Sequence, residues 1–346
     1  MADKIVELLK KLPKVDLHCH LDGSLKPKTI LSIAKKQGAK LPAENEDELK
    51  KYVQVPPDCS SLTEFLKVFE TFYPLLRNPE AIEEVTYSLL SSTKEDNVRY
   101  IEMRLAPALQ KTDSFSQEEV IRSVIKGAEK GKKDFGISWG LILCIYRSLN
   151  PEENRQTAEL AVAYYGKGVV GVDLAGDESR YPVELYKEMM DMVHRRDIPI
   201  TIHAGESAGP ESIRNALELG ARRIGHGVTL EQDPELRKRV KEEGIPLEMC
   251  LTSNVQTRVV SAIQQHPLVR YFRDGVKVTI NTDDPGVSGI DLTHEYSVAF
   301  SQLGLSLEEL IEIIYHGVES SFLHTDEKER MKEDFREEIE NILKKI

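Results

Sequence analysis

The sequence contains few cysteines, and no two of them form a CxxC pair. The four lie far apart along the chain, at Cys19, Cys59, Cys144 and Cys250. This spacing argues against a disulfide framework, in which cysteines are numerous and close together. We expect four reduced thiols, mostly buried on strands, as is usual inside cells.

Long apolar runs are also missing. The first residues, MADKIVELLKKLPK, are charged and amphipathic and lack the apolar centre of a signal peptide. No stretch approaches the length of about 20 apolar residues that spans a bilayer. We therefore expect a cytoplasmic protein with no membrane partner.

Positive charge is in deficit. The chain carries 46 Lys and Arg against 58 Asp and Glu, a formal net charge of −12. Nucleic-acid binding depends on Lys and Arg that neutralise phosphates, so this function is not expected. A strongly anionic small substrate is disfavoured for the same reason, and a neutral small molecule fits best.

Internal repeats and low-complexity segments are absent, whereas short apolar runs alternate with helical stretches along the chain. The runs are rich in Val, Ile and Leu, as strands buried on both faces are. Eight such runs occur, at residues 14–21, 98–107, 137–147, 169–178, 198–206, 222–230, 245–254 and 277–286. Helical stretches between them include 182–197, 209–221 and 233–244.

This alternation predicts an α/β protein with a parallel sheet and right-handed crossovers. Eight repeats indicate closure into a (β/α)₈ TIM barrel, which takes about 250 residues before insertions. The excess length predicts extra helices between strands one and two, over residues 25–96, and at the C-terminus, over about 306–346. An open doubly wound sheet is the main alternative, but it usually has a Gly-rich phosphate loop after the first strand. Here HCHLDGS follows instead, and we expect one domain over residues 1–346.

Polar side chains gather at the predicted carboxyl ends of four strands. They are His18 and His20 on strand one, His203 on strand five, His226 on strand six, and Asp283 and Asp284 on strand eight. In a barrel these ends converge on one face, where active sites are found. Residues remote in sequence would therefore meet in space.

A metal site is one consequence. His18 and His20 are two apart on a strand, so both side chains point to the same face. Alone the pair could be two polar strand residues, but with His203 and Asp283 it gives three nitrogens and one carboxylate oxygen. That set suits one Zn²⁺ ion per chain and leaves a position for water, whose pKa zinc lowers to about 7.

A hydrolytic site also needs a group that moves protons. Glu206, three residues after His203, is the natural candidate. His226 lies between two glycines whose small size would let the backbone approach a ligand. It could orient or deprotonate the water, and a hydrogen-bonded core histidine is the alternative. Asp173 and Asp177 near the end of strand four are candidates for structural roles. The other histidines are expected to be surface or packing residues: His194, His266, His294, His316 and His324.

Six motifs together resemble the adenosine deaminase family of the metal-dependent amidohydrolase superfamily. They are PKVDLHCHLDGS (13–24), VDLAGDE (172–178), HAGES (203–207), GHGV (225–228), TSN (252–254) and NTDDPG (281–286). The resemblance extends from about residue 10 to residue 325. Two departures, Leu251 where the family has Pro and Arg258 where it has a small residue, lie away from the proposed ligands.

The resemblance implies a reaction and a set of roles. Adenosine, and 2′-deoxyadenosine, would be hydrolysed to the inosine product and ammonia in purine salvage. The implied zinc ligands are His18, His20, His203 and Asp283. Glu206 would protonate N1 of the purine, while His226 and Asp283 handle the proton of the attacking water.

Substrate-binding residues are implied in the same way. Asp284 would hydrogen-bond N7, the backbone N–H of Gly176 would serve N3, and Asp22 would bind the ribose 5′-hydroxyl. The apolar wall of the purine pocket is implied to be Phe65, Leu66 and Phe69. At helical spacing these three could equally be plain core residues.

Other functions remain open at this point. Relatives that deaminate free adenine tend to have Glu where this chain has Asp22, so the nucleoside is favoured over the base. A deaminase of AMP would need a basic cluster near HLDGS, which is not there. Two-metal amidohydrolases usually carry a Lys on strand four, and residues 169–178 contain none. An inactive binding relative is disfavoured because every implied catalytic position is filled.

Overall fold

The computed structural model describes residues 2–56 and 59–345. The strands are β1 Lys14–His20, β2 Val98–Leu105, β3 Ser138–Tyr146, β4 Val169–Ala175, β5 Thr201–Ala204, β6 Arg223–His226, β7 Leu247–Met249 and β8 Val278–Ile280. The first nine helices are α1 Ala2–Lys11, α2 Pro27–Gln37, α3 Glu46–Val53, α4 Leu62–Lys67, α5 Pro79–Glu95, α6 Pro107–Gln110, α7 Gln117–Phe135, α8 Pro151–Tyr164 and α9 Lys187–His194. They are followed by α10 Pro210–Glu218, α11 Pro234–Glu242, α12 Leu251–Gln256, α13 Leu268–Arg273, α14 Pro285–Ser288, α15 Leu292–Ser301, α16 Leu307–Ser320 and α17 Thr325–Leu343.

The eight strands close into a parallel barrel. β1 to β4 pair in sequence order, as do β5 to β8. A parallel bridge between Val172 and Ile200 joins the two halves on one side, and a bridge between Cys19 and Asp283 joins them on the other. The predicted TIM barrel is therefore confirmed, and the open doubly wound alternative is wrong.

The later strands are shorter than the apolar runs that predicted them. β7 and β8 have three residues each, whereas the runs were 245–254 and 277–286. The TSN motif, expected at the end of a strand, lies in α12. Apolar composition reports burial and not strand pairing, and the buried Leu251 begins a helix.

The extra helices occur where the sequence placed them. α2 to α5 lie between β1 and β2, and α16 and α17 form the C-terminal region. The predicted helix 182–197 begins as the 3₁₀ turn Val183–Tyr186 before continuing as α9. Within the described residues, no helix combines the length and apolar character that crossing a bilayer requires.

The cysteines are free and buried, as expected. Cys19 and Cys144 lie on strands β1 and β3. The expectation that most of them lie on strands is wrong for the other two, because Cys59 precedes α4 and Cys250 is the N-cap of α12.

Helices α5 and α7 pack closely through two glycines on α7. A Cβ at Gly127 would lie 2.6 Å from the carbonyl oxygen of Glu83 and 2.9 Å from Cβ of Thr86. A Cβ at Gly131 would meet the side chain of Leu90 at 2.8 Å. Because Gly lowers helix stability by about 1 kcal/mol relative to Ala, its presence here reflects the close approach of the two backbones.

Gly127→Ala should therefore destabilise the protein. Overpacking typically costs about 1–3 kcal/mol, and because the atom met here is a backbone oxygen we expect the cost to exceed the gain of about 1 kcal/mol in helix propensity. We expect a lower urea midpoint, measured by circular dichroism. Glu129→Ala, on the exposed face of the same helix, is the control and should leave the midpoint nearly unchanged. A midpoint for Gly127→Ala at or above that of the wild type would contradict the close packing.

Candidate active site

Four histidines and one aspartate meet at the carboxyl end of the barrel. His18 and His20 lie on β1, His203 on β5, and His226 ends β6. Asp283 lies three residues after β8. One ligand atom from each of His18, His203, His226 and Asp283 lies within 4.8 Å of the others. The strand ends thus bring together the residues that the sequence singled out.

His20 belongs to the same cluster. Its Nε2 is 3.2 Å from Nε2 of His203 and 3.4 Å from Oδ1 of Asp283. Nε2 of His18 is buried, 3.2 Å from Oδ1 of Asp283, and has no hydrogen-bond partner among the residues described. A cation among these nitrogens and oxygens would satisfy them, and the donor set is of the kind that binds zinc. The residues therefore fit a metal ion.

Buried carboxylates orient two of these rings from behind. Glu248 Oε2 is 2.7 Å from Nδ1 of His18, and Asp173 Oδ2 is 2.9 Å from Nδ1 of His203. Carboxylates of this kind accept the outer N–H of metal-binding histidines and turn the other nitrogen toward the metal. Asp173, whose role the sequence left open, has this position.

Arg104 holds both carboxylates in place. Its fully buried guanidinium donates to Asp173 at 3.1 Å, to Glu248 at 2.9 Å and to the carbonyl oxygen of Leu17 at 2.6 Å. Burial alone would raise the pKa of Asp173, but His203 and Arg104 together hold that pKa well below its usual range. Both histidine partners are thus kept as anions.

Two residues of the cluster have strained backbones. His226 has φ of 63° and Asp283 has φ of 61°, a region that costs non-glycine residues about 1–3 kcal/mol. Asp283 is fixed by its N–H to the carbonyl of His18 at 2.8 Å and by its carbonyl to the N–H of His20 at 2.7 Å. Such strain collects at sites where side-chain direction matters.

The glycines around His226 have a different role from the one expected. A Cβ at Gly225 would lie 3.2 Å from Cε1 of His18 and 3.2 Å from Cα of His203. Gly225 therefore makes room for the histidine cluster itself. Gly227 has φ of 65°, which glycine adopts without strain.

Glu206 lies in a loop that one carboxylate holds. The side chain of Glu178 accepts hydrogen bonds from the four consecutive backbone N–H groups of residues 205–208, at 2.6 to 3.1 Å. Glu206 itself is buried, with Oε2 3.7 Å from Nε2 of His226. Burial, followed by the charges of Asp283 and Glu178, raises the pKa of Glu206 to about 8. Glu206 is therefore mainly a neutral acid at pH 7.

A cavity opens beside the cluster. Together with its open mouth it encloses about 660 Å³ of space. Its wall includes every substrate-binding residue suggested by the sequence: Asp22, Phe65, Leu66, Phe69, Gly176 and Asp284. Phe65 and Phe69 are also part of the hydrophobic core, so the two alternatives for them are compatible.

Two further residues support Asp22. Its Oδ2 accepts from the hydroxyl of Tyr73 at 2.7 Å and from Nε2 of Gln110 at 3.3 Å. Burial raises the pKa of Asp22 despite these hydrogen bonds. Asp284 lines the same cavity, and burial and the charge of Asp283 raise its pKa well above its usual range.

Several residues near the site carried only weak signals in the sequence. Glu178 and Asn254 fall inside the VDLAGDE and TSN motifs, but nothing in their spacing indicated a partner. Ser253 donates to Asp283 Oδ2 at 2.7 Å, and Asn254 Nδ2 is 3.0 Å from Nδ1 of His226. His266, expected at the surface or in packing, is buried and hydrogen-bonded to Asn254.

The departures from the family pattern lie around this region. Leu251 is a buried residue at the start of α12. Arg258 donates from Nε to the carbonyl of Cys59 at 2.6 Å. Neither residue is in the metal-binding cluster.

Comparisons with known proteins agree along the whole chain. A family model described as adenosine deaminase matches residues 13–338. An adenosine deaminase of Clostridium perfringens is 39% identical over 325 residues, covering 94% of this chain and 98% of that protein. The N6-methyl-AMP deaminase of Arabidopsis thaliana superposes with a TM-score of 0.85 at 28% identity, covering 96% and 98%. An adenine deaminase of Arthrobacter aurescens has the same fold, with a TM-score of 0.86 at 24% identity and coverage of 96% and 99%.

Asp173→Asn should weaken metal binding without removing a candidate ligand. The amide oxygen can still accept from His203, but the negative charge is lost, and such outer partners are typically worth about 10–100-fold in metal affinity. We expect a Kd for Zn²⁺ higher by about that factor, measured by competition with a chromophoric chelator. Glu295→Gln, a buried carboxylate that contacts Thr252 and no histidine, is the matched control. Wild-type affinity in folded Asp173→Asn would show that the charge of Asp173 does not support the metal site.

Proposed function

Because the chain belongs to the adenosine deaminase family, we propose that it hydrolyses adenosine to inosine and 2′-deoxyadenosine to 2′-deoxyinosine, releasing ammonia in each case. It is a hydrolase of that family. The observation that carries the proposal is the placement of a buried carboxyl group, Glu206, in the same cavity wall as the histidine and aspartate cluster that could hold a metal ion. Deamination at C6 of a purine needs both an activated water and an acid that can protonate the ring.

We assign the metal as one zinc ion held by His18, His20, His203 and Asp283. The support is three imidazole nitrogens and one carboxylate oxygen, with outer carboxylates behind two of the rings. Bound zinc acts as a Lewis acid and brings the pKa of a coordinated water to about 7.

The side chains of the pocket then move the protons. Glu206, neutral because its pKa is about 8, gives a proton to N1 and makes C6 more electrophilic. The oxygen of water adds to C6, and Asp283, in the same cavity wall, accepts the proton that this water loses. His226, which lines the same cavity, would hold this oxygen. Asp283 passes this proton to the amino group, the C6–N bond breaks and ammonia leaves, while the second proton of the former water returns to Glu206 as the C6 carbonyl of the product forms.

The rest of the cavity suits a neutral nucleoside. Burial and the charge of Asp283 raise the pKa of Asp284, which favours its protonated form, and Asp284 would donate to N7. The backbone N–H of Gly176 would serve N3. Asp22, fixed by Tyr73 and Gln110, would accept the ribose 5′-hydroxyl. Among the described residues, the cavity wall contains no Lys or Arg. A 5′-phosphate would therefore lack a counter-charge and would lie beside Asp22.

The competing functions fit less well. Free adenine has no ribose 5′-hydroxyl, so Asp22 and the two residues that support it would contact no group of that ligand. A second metal would need further ligands, and the described residues of β4 include no Lys. An inactive relative would not need the Glu178 clamp that positions Glu206.

The direct test is the ultraviolet absorbance change on mixing the purified protein with adenosine, adenine or AMP. We expect fast turnover of adenosine and little of the other two. Prolonged chelation should abolish the activity, and Zn²⁺ should restore it. Turnover of adenine or AMP without turnover of adenosine would show that the proposed substrate is wrong, while the proposed mechanism would still apply. If zinc-loaded protein turns over none of the three compounds, the proposed function is wrong.

Glu206→Gln should separate chemistry from binding. An amide cannot supply the proton to N1, and acid–base groups typically contribute about 10²–10⁴-fold to the rate. We expect kcat to fall by about that factor, while the zinc content and the affinity for inosine change little. Glu211→Gln, an exposed residue in the first turn of α10, is the control and should keep wild-type kcat. Undiminished kcat in Glu206→Gln would remove this residue from the mechanism.

A further inference from the structure

A chain of hydrogen bonds runs behind His226, away from the cavity. The backbone N–H of Leu268 is 3.3 Å from Nδ1 of His266, and Nε2 of His266 is 3.1 Å from Oδ1 of Asn254. Nδ2 of Asn254 is 3.0 Å from Nδ1 of His226. His226, Asn254 and His266 are all buried, with 1%, 0% and 4% of their surfaces exposed. Solvent therefore does not supply alternative partners.

The donor and acceptor at each step of this chain of hydrogen bonds follow from its end at Leu268, away from His226. A backbone N–H can only donate, so Nδ1 of His266 accepts from Leu268 and carries no proton. The proton of the neutral ring is then on Nε2, which donates to Asn254. Burial, which lowers the pKa of His266 to about 3, agrees with a neutral ring. The side-chain oxygen of Asn254 must accordingly face His266, and its NH₂ group must face His226.

His226 has no freedom left in its tautomer. Because Nδ1 accepts from Asn254, the ring proton lies on Nε2, the nitrogen that faces the cavity and lies 3.7 Å from Glu206. His18 and His203 are in the opposite state. Their Nδ1 atoms face Glu248 and Asp173, which accept protons, so their Nε2 atoms present lone pairs.

The tautomer distinguishes His226 from the metal-binding histidines, which distance alone does not do. One ligand atom of His226 lies within 4.8 Å of those of His18, His203 and Asp283, so this distance criterion does not distinguish it from them. A nitrogen that carries a proton cannot bind a metal, whereas it can donate a hydrogen bond to an oxygen. His20, with Nε2 at 3.2 Å from that of His203, takes the third nitrogen position.

We propose that Asn254 and His266 are positioning residues that hold His226 in its Nε2–H tautomer, so that His226 donates a hydrogen bond to the attacking oxygen and does not bind the metal. The role of the donor rests on the proposed function. The tautomer itself rests only on the hydrogen-bond chain.

The test is ¹⁵N NMR of protein labelled at histidine, both chelator-treated and zinc-loaded. The signals of His226 are assigned by their loss in His226→Gln. We expect an unprotonated Nδ1 and a protonated Nε2 in both samples, whereas the Nε2 signals of His18 and His203 shift on addition of zinc. A protonated Nδ1 in the wild type, or a metal-shifted Nε2 of His226, would overturn the proposal.

Asn254→Asp provides the matched variant. A carboxylate can only accept, so it would still bind His266 but would require a proton on Nδ1 of His226. We expect the tautomer to reverse in the NMR spectrum, with kcat reduced at least tenfold and KM changed less. Unchanged tautomer and kcat in this variant would also overturn the proposal.

A second pair of variants applies if Asn254→Asp does not fold. In His266→Gln the side-chain amide can still donate to Asn254, so the wild-type tautomer and most of the kcat should remain. In His266→Leu the donor is lost, and a mixture of tautomers with lower kcat is expected. Equal NMR spectra for these two variants would show that the hydrogen-bond chain does not set the tautomer of His226. If the protein has the expected tautomer but does not deaminate adenosine, the proposed function is wrong and the role of the hydrogen-bond chain stands.

Discussion

The site depends on one buried guanidinium. Arg104 lies fully inside the barrel between Asp173 and Glu248, and through them it sets the direction of two histidine rings. Glu248 in turn pairs with Arg223, which also contacts Glu102 at the floor of the barrel. Buried ion pairs are weak sources of stability, but removing one partner leaves an unpaired charge and is strongly destabilising. The network is therefore better understood as a device that fixes geometry.

A network of this kind is possible because the barrel closes. Arg104 and Asp173 are 69 residues apart, and Arg104 and Glu248 are 144 apart, yet they are neighbours inside the ring of strands. The same closure brings β8 beside β1, where Asp283 exchanges two backbone hydrogen bonds with β1. Those hydrogen bonds sustain the positive φ of Asp283 and so aim its carboxylate at the histidines. Strain at one residue is thus supported by the pairing of the whole sheet.

The sequence predicted the barrel and the residues at its carboxyl end, because buried parallel strands have a strong apolar signal and their ends must converge. It did not predict what stands behind those residues. Glu178 acts through four backbone N–H groups, which no side-chain pattern reveals. Arg104 and His266 lie in segments that looked like plain strand and connection. Their roles arise from contacts that only the folded chain makes, whereas residue spacing reports only local geometry.

Charge explains how the cavity can serve a neutral substrate. Four carboxyl groups line it, Asp22, Glu206, Asp283 and Asp284, and no Lys or Arg among the described residues does so. Four anions in one cavity would repel one another, and their surroundings shift their pKa values in different directions. The histidines beside Asp283 lower its pKa, whereas burial and the charge of Asp283 raise the pKa of Glu206 and Asp284. Neighbouring acids whose pKa values are pushed apart can divide the tasks of base and acid. The remaining negative charge favours a bound cation and disfavours a phosphate, so one electrostatic arrangement would account for both the proposed metal and the proposed preference for a nucleoside.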